Sequence, residues 1–285
     1  MPELPEVEIT ARLLDQAVAG AKVESAMAPG LNVMKSFKPP LDGLAGDRID
    51  GVRRRGKMLV IDFSSGLSLL IHLMSAGTLQ LHGKRAGPKD RTSRVLIRLE
   101  PDQGGERELR LREFGTRQRA WAKLMPADEI ETDEDVAKLG PEAWPDPVPV
   151  GVVTTTDRPL YSLLRDQRTI AGIGRTWVDE ILWSARLSPF KRAADLEPEE
   201  AERLLASIHD RFQAAIDFYE SGLTLPLPDK LPKPLEVHGR EGEACSRCGE
   251  LIHAVHYSDY TLCYCPREQT GGEPLKDRRL SRLLK

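Results

Sequence analysis

The hydrophobic pattern of this chain changes its period once, and this change limits the folds that the chain can adopt. From residue 21 to residue 126 apolar and polar residues alternate, interrupted by Gly, Pro and Asp, as is typical of half-buried strands. From residue 159 to residue 222 the apolar residues recur at helical spacing. The sequence therefore predicts an α+β protein whose strands and helices occupy separate regions.

The first region is predicted to be a β-sandwich packed against one N-terminal helix, in a domain over 1–126. The helix should begin near Pro5, a residue suited to a first turn, and end before Gly20. Its apolar face would consist of Val7, Leu13, Leu14 and Val18. The predicted strands cover 58–63, 67–73, 78–81, 95–99, 108–111 and 119–124.

The second region is predicted to hold three helices, at about 159–169, 176–186 and 197–221. Gly172, Ile173 and Gly174 lie between the first two. Glycines let a backbone approach a phosphate, and the following helix presents unpaired N–H groups there, although any tight helix connection could contain this tripeptide. We assign 127–156, which is acidic and then proline-rich, to a linker. We assign 157–238 to a helical domain. Its last part contains four prolines from 226 to 234 and is predicted to have no regular structure.

All four cysteines lie between positions 245 and 265, in a module that we place at 239–275. In a reducing compartment such clustering indicates a metal site, and Cys-x-x-Cys followed by a second pair is typical of zinc. The candidate ligands are Cys245, Cys248, Cys263 and Cys265, with Glu268 as the alternative to Cys263. His253 and His256 are weaker candidates for that place, and a β-hairpin without metal is the other interpretation.

The overall charge does not indicate a nucleic-acid partner. The net charge is −3 and the pI is near 6.1, so such a partner would have to be bound by a local basic patch. Arg267 and the basic tail at 276–285, with Arg278, Arg279 and Arg282, could contribute to one. The acidic N-terminus and the lack of a long apolar run predict a cytoplasmic protein without a signal peptide or membrane span.

The first residues, Met-Pro-Glu-Leu-Pro-Glu-Val, combine an unusual amine with two carboxylates. Removal of Met1 would leave the secondary amine of Pro2, and an α-amino group has a reference pKa near 8, roughly two units below that of lysine. Glu3 and Glu6 lie one helical turn apart beside it. The arrangement would place an amine nucleophile beside a candidate general acid. A Pro-Glu pair taken alone, however, favours the simpler interpretation that it makes a good helix start.

The string PELPEVE resembles the opening of the formamidopyrimidine-DNA glycosylase and endonuclease VIII family of base-excision repair enzymes. The string LLRDQRTIAGIGRTWVDEIL likewise resembles the helix-two-turns-helix element of that family, and RRGK resembles its segment with a phosphate-binding lysine. The resemblance implies a monomeric, bifunctional DNA glycosylase and abasic-site lyase that acts on damaged, oxidised bases without a small-molecule cofactor. Pro2 would attack C1′, Glu3 would be the general acid, Glu6 would support them, and Lys57 would contact the phosphate beside the lesion.

The resemblance also implies further site residues. The DNA contacts would come from His72, Met74, Arg112, Phe114, Gly172, Gly174, Arg175 and Tyr260. Arg112 would fill the gap left by the flipped base and Phe114 would stack in the opposite strand, unless Phe114 closes a strand against the core. One structural zinc would be bound in a zinc-finger-like hairpin, with Cys265 at the family spacing for the third ligand.

The chain departs from the family pattern at several positions. Ser75 occupies the place of the methionine wedge, and Met74 comes one residue early, so strand alternation would turn it to the opposite side unless a bulge intervenes. Arg175 replaces an asparagine, Tyr260 replaces an arginine, and Glu268 replaces the fourth cysteine. These departures motivate a second interpretation, a protein that binds damaged or abasic DNA with weak or absent base excision.

Overall fold

The computed structural model describes residues 1–87, 90–115 and 117–275. The predicted basic tail at 276–285, with Arg278, Arg279 and Arg282, lies outside the described residues. Within them the α+β prediction is confirmed, with a helix and strands first, helices next, and a short hairpin followed by one helical turn at the end. The described chain divides into two compact units, one of Met1–Lys138 with Phe218–Pro232 and one of Leu139–Asp217 with the residues from Lys233 onward.

The first unit begins with helix α1, Leu4–Val18, as predicted. Eight strands follow it among the described residues: β1 Val23–Met27, β2 Ile49–Arg55, β3 Met58–Phe63, β4 Leu67–His72, β5 Gly77–His82, β6 Ser93–Asp102, β7 Gly105–Glu113 and β8 Trp121–Pro126. All neighbouring pairs are antiparallel, and they form two four-stranded sheets in the orders β1-β6-β7-β5 and β2-β3-β4-β8. The predicted β-sandwich is thus confirmed.

One hydrophobic core joins both sheets and α1. Val7, Leu14 and Val18 of the helix are fully buried against residues of both sheets, such as Ile61 of β3 and Leu111 of β7. Each such aliphatic side chain contributes roughly 1.5–3 kcal/mol when it is fully buried. Packing of this one apolar face therefore fixes α1, and with it the start of the chain, on the sandwich.

The sequence analysis missed strands β1 and β2. In β2 only Ile49 and Val52 are buried, and the strand ends in three arginines, so its own pattern contains no apolar run. It forms because it pairs with β3 in the register Arg55↔Met58 and because the Asp15 carboxylate of α1 accepts the Val52 N–H. Sheet pairing, not local propensity, decides the structure of this segment.

The second unit is mainly helical. Its elements are α2 Gly151–Thr154, α3 Leu160–Arg165, α4 Arg175–Ser184, most of α5 Pro198–Gly222, the hairpin β9 His253–His256 and β10 Thr261–Tyr264, and α6 Pro266–Gln269. The three predicted helices correspond to α3, α4 and α5. No helix among the described residues is long and apolar enough to cross a membrane.

Two fully buried acids on α4 attach the following segments to it. The Glu180 carboxylate accepts the N–H groups of residues 236–238 and pairs with Arg211. Asp179 accepts the Cys263 N–H at 3.0 Å and lies 2.7 Å from His238 Nδ1. Hydrogen bonds of this kind compensate for the loss of hydration of a buried carboxylate. Residues 236–238 and the hairpin are therefore held on α4 by side chains.

The segment predicted as a linker, 127–156, contains structure of its own. A 3-10 helix, Ala127–Thr132, belongs to the first unit, and α2 belongs to the second. Trp144 is buried and its Nε1–H donates to Gln213. The five-part domain division proposed from the sequence stays a prediction.

Candidate active site

The N-terminal end of α1 is closed by two glutamates. Glu3 is the N-cap residue, its side chain accepts the backbone N–H of Glu6, and Glu6 Oε2 accepts the Glu3 N–H at 2.7 Å. The two residues are only 1% and 2% exposed. This reciprocal capping box satisfies N–H groups that a helix start would otherwise leave unpaired. It also fixes both carboxyl groups immediately after Pro2, which is half-buried.

Tyr219 completes this arrangement within the same unit. Its hydroxyl donates to Glu6 Oε1 at 2.9 Å, so each oxygen of the Glu6 carboxyl group has a donor. Burial, with the charges of Glu6 and Glu3 next, raises the pKa of the Tyr219 hydroxyl, which therefore stays a donor. A residue held on both oxygens is well suited to keep Glu3 and the start of the chain in place.

Lys57 lies in a two-residue turn between β2 and β3. Gly56 has φ +57°, a backbone conformation that other residues rarely adopt, and its carbonyl accepts a bond from Arg54 Nη1 at 3.0 Å. Arg54 Nε also donates to Glu8 Oε2 of α1 at 2.8 Å. Arg54 therefore connects the turn that carries Lys57 to the helix that begins beside Pro2.

His72 and Met74 follow from the end of β4. Burial, with the positive charge of Lys57 second, lowers the pKa of His72 to about 4, and its ring stacks on Trp121 at 5.6 Å. The unprotonated His72 Nδ1 accepts the Met74 N–H at 2.9 Å. Strand alternation, which we used to orient Met74, does not apply, because the strand ends at His72 and Met74 lies in a turn with φ +51°. Ser75, next in the same turn, is exposed.

Arg112 and Phe114 lie at the end of β7. Phe114 is 39% exposed and follows the last residue of the strand, so the alternative that it closes the strand against the core is wrong. The Arg112 guanidinium lies over its ring, 4.6 Å from the centroid. Arg112 Nη1 also bonds Asp229 Oδ1 and Gln80 Oε1, both at 3.2 Å. Arg112 is thus already engaged with protein groups here.

A glutamine holds the turn between α3 and α4. Gln167 Oε1 accepts the Gly172 N–H at 3.0 Å, while its Nε2 donates to the carbonyls of Ile173 and Arg165. Gly172 has φ +107°, which its lack of a side chain permits, and Gly174 is the N-cap of α4. The turn is therefore rigid, and the N–H groups at the start of α4 follow directly from it.

Arg175 and Tyr260 meet at the tip of the hairpin. Arg175 donates to both the carbonyl and the carboxylate of Asp259, at 2.7 Å in each case, and its guanidinium lies 5.1 Å from the centroid of the Tyr260 ring. The Tyr260 ring in turn stacks on Tyr257 at 4.4 Å. The turn before α4 and the hairpin are thereby joined through their predicted DNA-contacting residues.

Three of the predicted metal ligands form a group. The sulfurs of Cys245, Cys248 and Cys265 lie within 4.8 Å of one another. Burial opposes ionisation of Cys245, but N–H groups of Arg247, Trp183 and Cys248 donate to its sulfur and lower the pKa of the thiol. Three converging thiols are a suitable donor set for a soft metal ion such as zinc.

The structure does not bring Cys263 to this group. It lies in β10, where its sulfur accepts the Gly239 N–H at 3.4 Å, and burial raises the pKa of its thiol to about 11. Glu268, our alternative, is also outside the group, and its carboxylate pairs with Arg186 and Arg247 at 3.2 Å. The weaker candidates His253 and His256 are not members either. Our favoured fourth ligand therefore needs correction.

Three positioning residues were missed by the sequence analysis. Tyr219 is separated from Glu6 by 213 positions, so no local pattern could connect them. Arg54 is one of three consecutive arginines, at positions 53–55, and the sequence gives no reason to single out one of the three. Only Gln167 had a detectable signal, as an amide beside glycines that need hydrogen-bond partners.

Comparison with known proteins gives matches over nearly the whole chain. The model of the formamidopyrimidine-DNA glycosylase N-terminal domain matches residues 1–117, and the model of the H2TH domain of the same enzymes matches residues 139–226. A formamidopyrimidine-DNA glycosylase of Lactiplantibacillus plantarum is 32% identical over 282 residues, covering 94% of this chain and 99% of the relative.

Solved structures agree with these matches. A complex between the Lactococcus lactis protein Fpg and DNA containing an abasic site has a TM-score of 0.82 at 27% identity, covering 94% of this chain and 99% of the other. A structure of MutM with DNA containing carbocyclic 8-oxo-G has a TM-score of 0.82 at 28% identity, covering 94% and 100%.

Proposed function

This chain belongs to the formamidopyrimidine-DNA glycosylase and endonuclease VIII family, and from that membership we propose that it is a DNA glycosylase that excises oxidised bases and cleaves the resulting abasic strand. The observation that carries the proposal is the buried pair Glu3 and Glu6, locked at the start of α1 beside Pro2. Such a pair places a proton donor next to an amine without exposing either carboxyl group to bulk water.

In the proposed reaction the Pro2 nitrogen, freed by removal of Met1, attacks C1′ of the damaged nucleotide. The C1′–base bond breaks and its electron pair leaves with the base, which takes up the proton that the Pro2 nitrogen loses, while Glu3 protonates the sugar ring oxygen so that the bond from C1′ to that oxygen breaks and the ring opens. The product is an iminium between Pro2 and the sugar. Loss of a proton from C2′ then expels the 3′ phosphate and cuts the strand, and water releases Pro2 by hydrolysing the iminium.

The DNA contacts are assigned to residues of each unit. In the first unit Lys57 would bind the phosphate beside the lesion, and Arg112 and Phe114 would occupy the duplex where the base leaves, with His72 and Met74 nearby in the chain. In the second unit the turn from Gly172 to Gly174 and the start of α4 would bind the backbone through N–H groups. Arg175 and Tyr260 belong to the same surface.

We also propose one structural zinc ion, held by Cys245, Cys248 and Cys265. Zinc would cross-link the segment before the hairpin to the segment after it and has no part in the base chemistry. Glu268 follows Cys265 at the same interval at which Cys248 follows Cys245. This spacing makes Glu268 the candidate for the fourth metal ligand in place of Cys263. Its carboxylate would have to turn from Arg186 and Arg247 to reach the ion.

The expected partner is damaged DNA, bound by a monomer in the cytoplasm at the nucleoid, and no small-molecule cofactor is needed for the proposed steps. The test uses duplexes with one oxidised purine, one oxidised pyrimidine, one abasic site or no damage. We expect base release and strand cleavage on a damaged duplex and none on the undamaged one. Cleavage of the abasic duplex alone would restrict the function to a lyase.

The second candidate is a protein that binds damaged DNA with weak or no excision. The observation that favours it is the ion pair of Arg112 with Asp229, since Arg112 is the residue predicted to fill the gap that the flipped base leaves. Tight binding to the abasic duplex without base release or cleavage on any substrate would support this candidate and contradict the glycosylase.

A further inference from the structure

Three tyrosine rings and two guanidinium groups form a cluster where α3, the start of α4 and the hairpin tip meet. Tyr260 stacks between the other two rings, 5.8 Å from Tyr161 with an interplanar angle of 13° and 4.4 Å from Tyr257 with an angle of 14°. We call Tyr161, Tyr260 and Tyr257 the tyrosine stack. It lies wholly within the second unit.

Two arginines contact the tyrosine stack, and they differ in whether a carboxylate neutralises their charge. The Arg175 guanidinium is paired with Asp259 through two hydrogen bonds of 2.7 Å. The Arg165 guanidinium lies 4.5 Å from the centroid of Tyr260 and 4.9 Å from that of Tyr161. Among the ion pairs of the described residues, Arg165 has no carboxylate partner.

The nearest acid in sequence does not neutralise Arg165 either. Asp166 accepts a hydrogen bond of 2.8 Å from Arg158, and this interaction contributes to lowering the pKa of Asp166, so its charge is already satisfied. A guanidinium held against aromatic faces keeps its planar N–H edge available for an anion. Among the residues that the structure describes, Arg165 is therefore a positioned cation without a carboxylate partner.

Arg165 is also connected to the turn before α4. It is the last residue of α3, and its carbonyl accepts a hydrogen bond from Gln167, the side chain that also holds Gly172 and Ile173. A shift of that turn would move the backbone of Arg165 with it. The Arg165 guanidinium and the N–H groups proposed to bind the DNA backbone are thus connected through the Gln167 side chain.

We infer that Arg165, and not Arg175, supplies the phosphate-binding charge of this surface, with the tyrosine stack as its platform. Arg175 is then a positioning residue, which holds the hairpin tip against α4 through Asp259. The inference rests on the proposed DNA-binding function. It changes the sequence-based expectation, which included Arg175 among the DNA contacts and did not single out Arg165.

The test is the salt dependence of DNA binding, measured by fluorescence anisotropy with a duplex that carries a stable abasic-site analogue. A lost phosphate contact lowers the slope of log affinity against log salt by about 0.9. We expect Arg165→Ala to show this loss and Arg165→Lys, which keeps the charge but not the planar fork, to retain most of the slope with weaker binding.

The matched control removes the other arginine together with its acid. Arg175→Ala/Asp259→Ala leaves the net charge unchanged, and we expect it to keep the wild-type slope. Tyr260→Leu should weaken binding because Arg165 loses its platform, whereas Tyr260→Phe should not. Thermal unfolding and near-ultraviolet circular dichroism of each variant show whether it is folded.

A wild-type slope in folded Arg165→Ala, or a loss of about 0.9 in the Arg175/Asp259 double variant, would overturn the assignment. Failure of the proposed function gives a different result. In that case the wild-type protein itself would bind damaged and undamaged duplexes equally well. Alternatively, it would bind the damaged duplex but cleave none of the substrates.

Discussion

Two groups of polar side chains, at the start of α1 and among Cys245, Cys248 and Cys265, differ in how far protein donors and acceptors meet their hydrogen-bonding needs. At α1 the Glu6 carboxyl group receives one donor on each oxygen, from Glu3 N–H and Tyr219 OH. In the cysteine group Cys248 Sγ and Cys265 Sγ approach to 3.5 Å, and Glu268 bonds arginines instead of the thiols. At the first site each oxygen of the Glu6 carboxyl group is already hydrogen-bonded to a protein group. The second site is a set of converging thiols that could bind a metal ion.

This difference fits the two tasks that we propose for these groups, catalysis at α1 and metal binding at the cysteines. A catalytic group must be held before the substrate arrives, because the rate depends on geometry that is already in place. A structural metal site only needs donors of the right type close together, since binding of the ion itself orders them. We therefore expect substitutions at α1 to change the chemistry and substitutions among the cysteines to change metal content and folding.

Glu3→Gln tests the catalytic half of the comparison and should have the largest effect. We expect base excision to fall about 10²- to 10⁴-fold, the range for loss of a general acid, with a smaller loss of abasic-site cleavage. The reason is that protonation is needed chiefly when the ring opens as the base departs. Single-turnover rates on damaged and abasic duplexes measure both, with Glu220→Gln, an exposed carboxylate of the same unit, as control. Equal losses on the two substrates would remove Glu3 from this role.

Cysteine substitutions test the structural half. Purified wild-type protein should contain about one zinc ion per chain, and Cys265→Ser should contain none, because loss of one thiolate from three leaves too few soft donors. Cys263→Ser should keep its zinc, since its sulfur lies outside the group. Metal analysis by mass spectrometry measures this directly. Zinc lost from Cys263→Ser but retained in Cys265→Ser would show that the ligand set is different.

Tyr219→Phe shows how much the pre-organisation of α1 contributes to stability. Removal of the hydroxyl leaves Glu6 Oε1 buried without this donor, and we expect the free energy of unfolding to fall by about 1–3 kcal/mol. Urea unfolding of the single variants and of Glu6→Gln/Tyr219→Phe gives the coupling between the two residues. Effects that simply add would mean that the hydrogen bond is not a determinant of the site.

His72 provides an effect that is absent at neutral pH and develops only in acid. Its pKa is lowered to about 4 in the folded protein, while the unfolded value is near 6.5, so the unfolded state binds the extra proton between these values. The stability contribution is therefore fully present above pH 6.5 and is lost as the pH falls toward 4, by up to about 1.4 kcal/mol per pH unit. The difference in the free energy of unfolding between wild type and His72→Gln should follow this pH dependence. The control is the exposed His209→Gln, whose difference from wild type should not follow it. A flat difference would mean that His72 is not held neutral.

The sequence predicted what is encoded locally. The first helix, six of the strands, the glycine turn before α4 and the three grouped cysteines all follow from short patterns whose physical meaning does not depend on distant residues. The rest depends on long-range contacts. No local pattern could predict that Tyr219 bonds Glu6, that Arg175 bonds Asp259 or that the Cys263 sulfur bonds the Gly239 N–H instead of joining the other thiols. Each of these contacts joins residues that are far apart in the sequence.

The most direct test of the central claim is the identity of the atom that attacks the sugar. Borohydride reduction during turnover on a damaged duplex should trap a covalent adduct, and peptide mapping should locate it on a peptide that begins at Pro2. A variant that retains extra residues before Pro2 should give no adduct and no strand cleavage. An adduct on a lysine such as Lys57, or cleavage at the wild-type rate by the extended variant, would contradict the account.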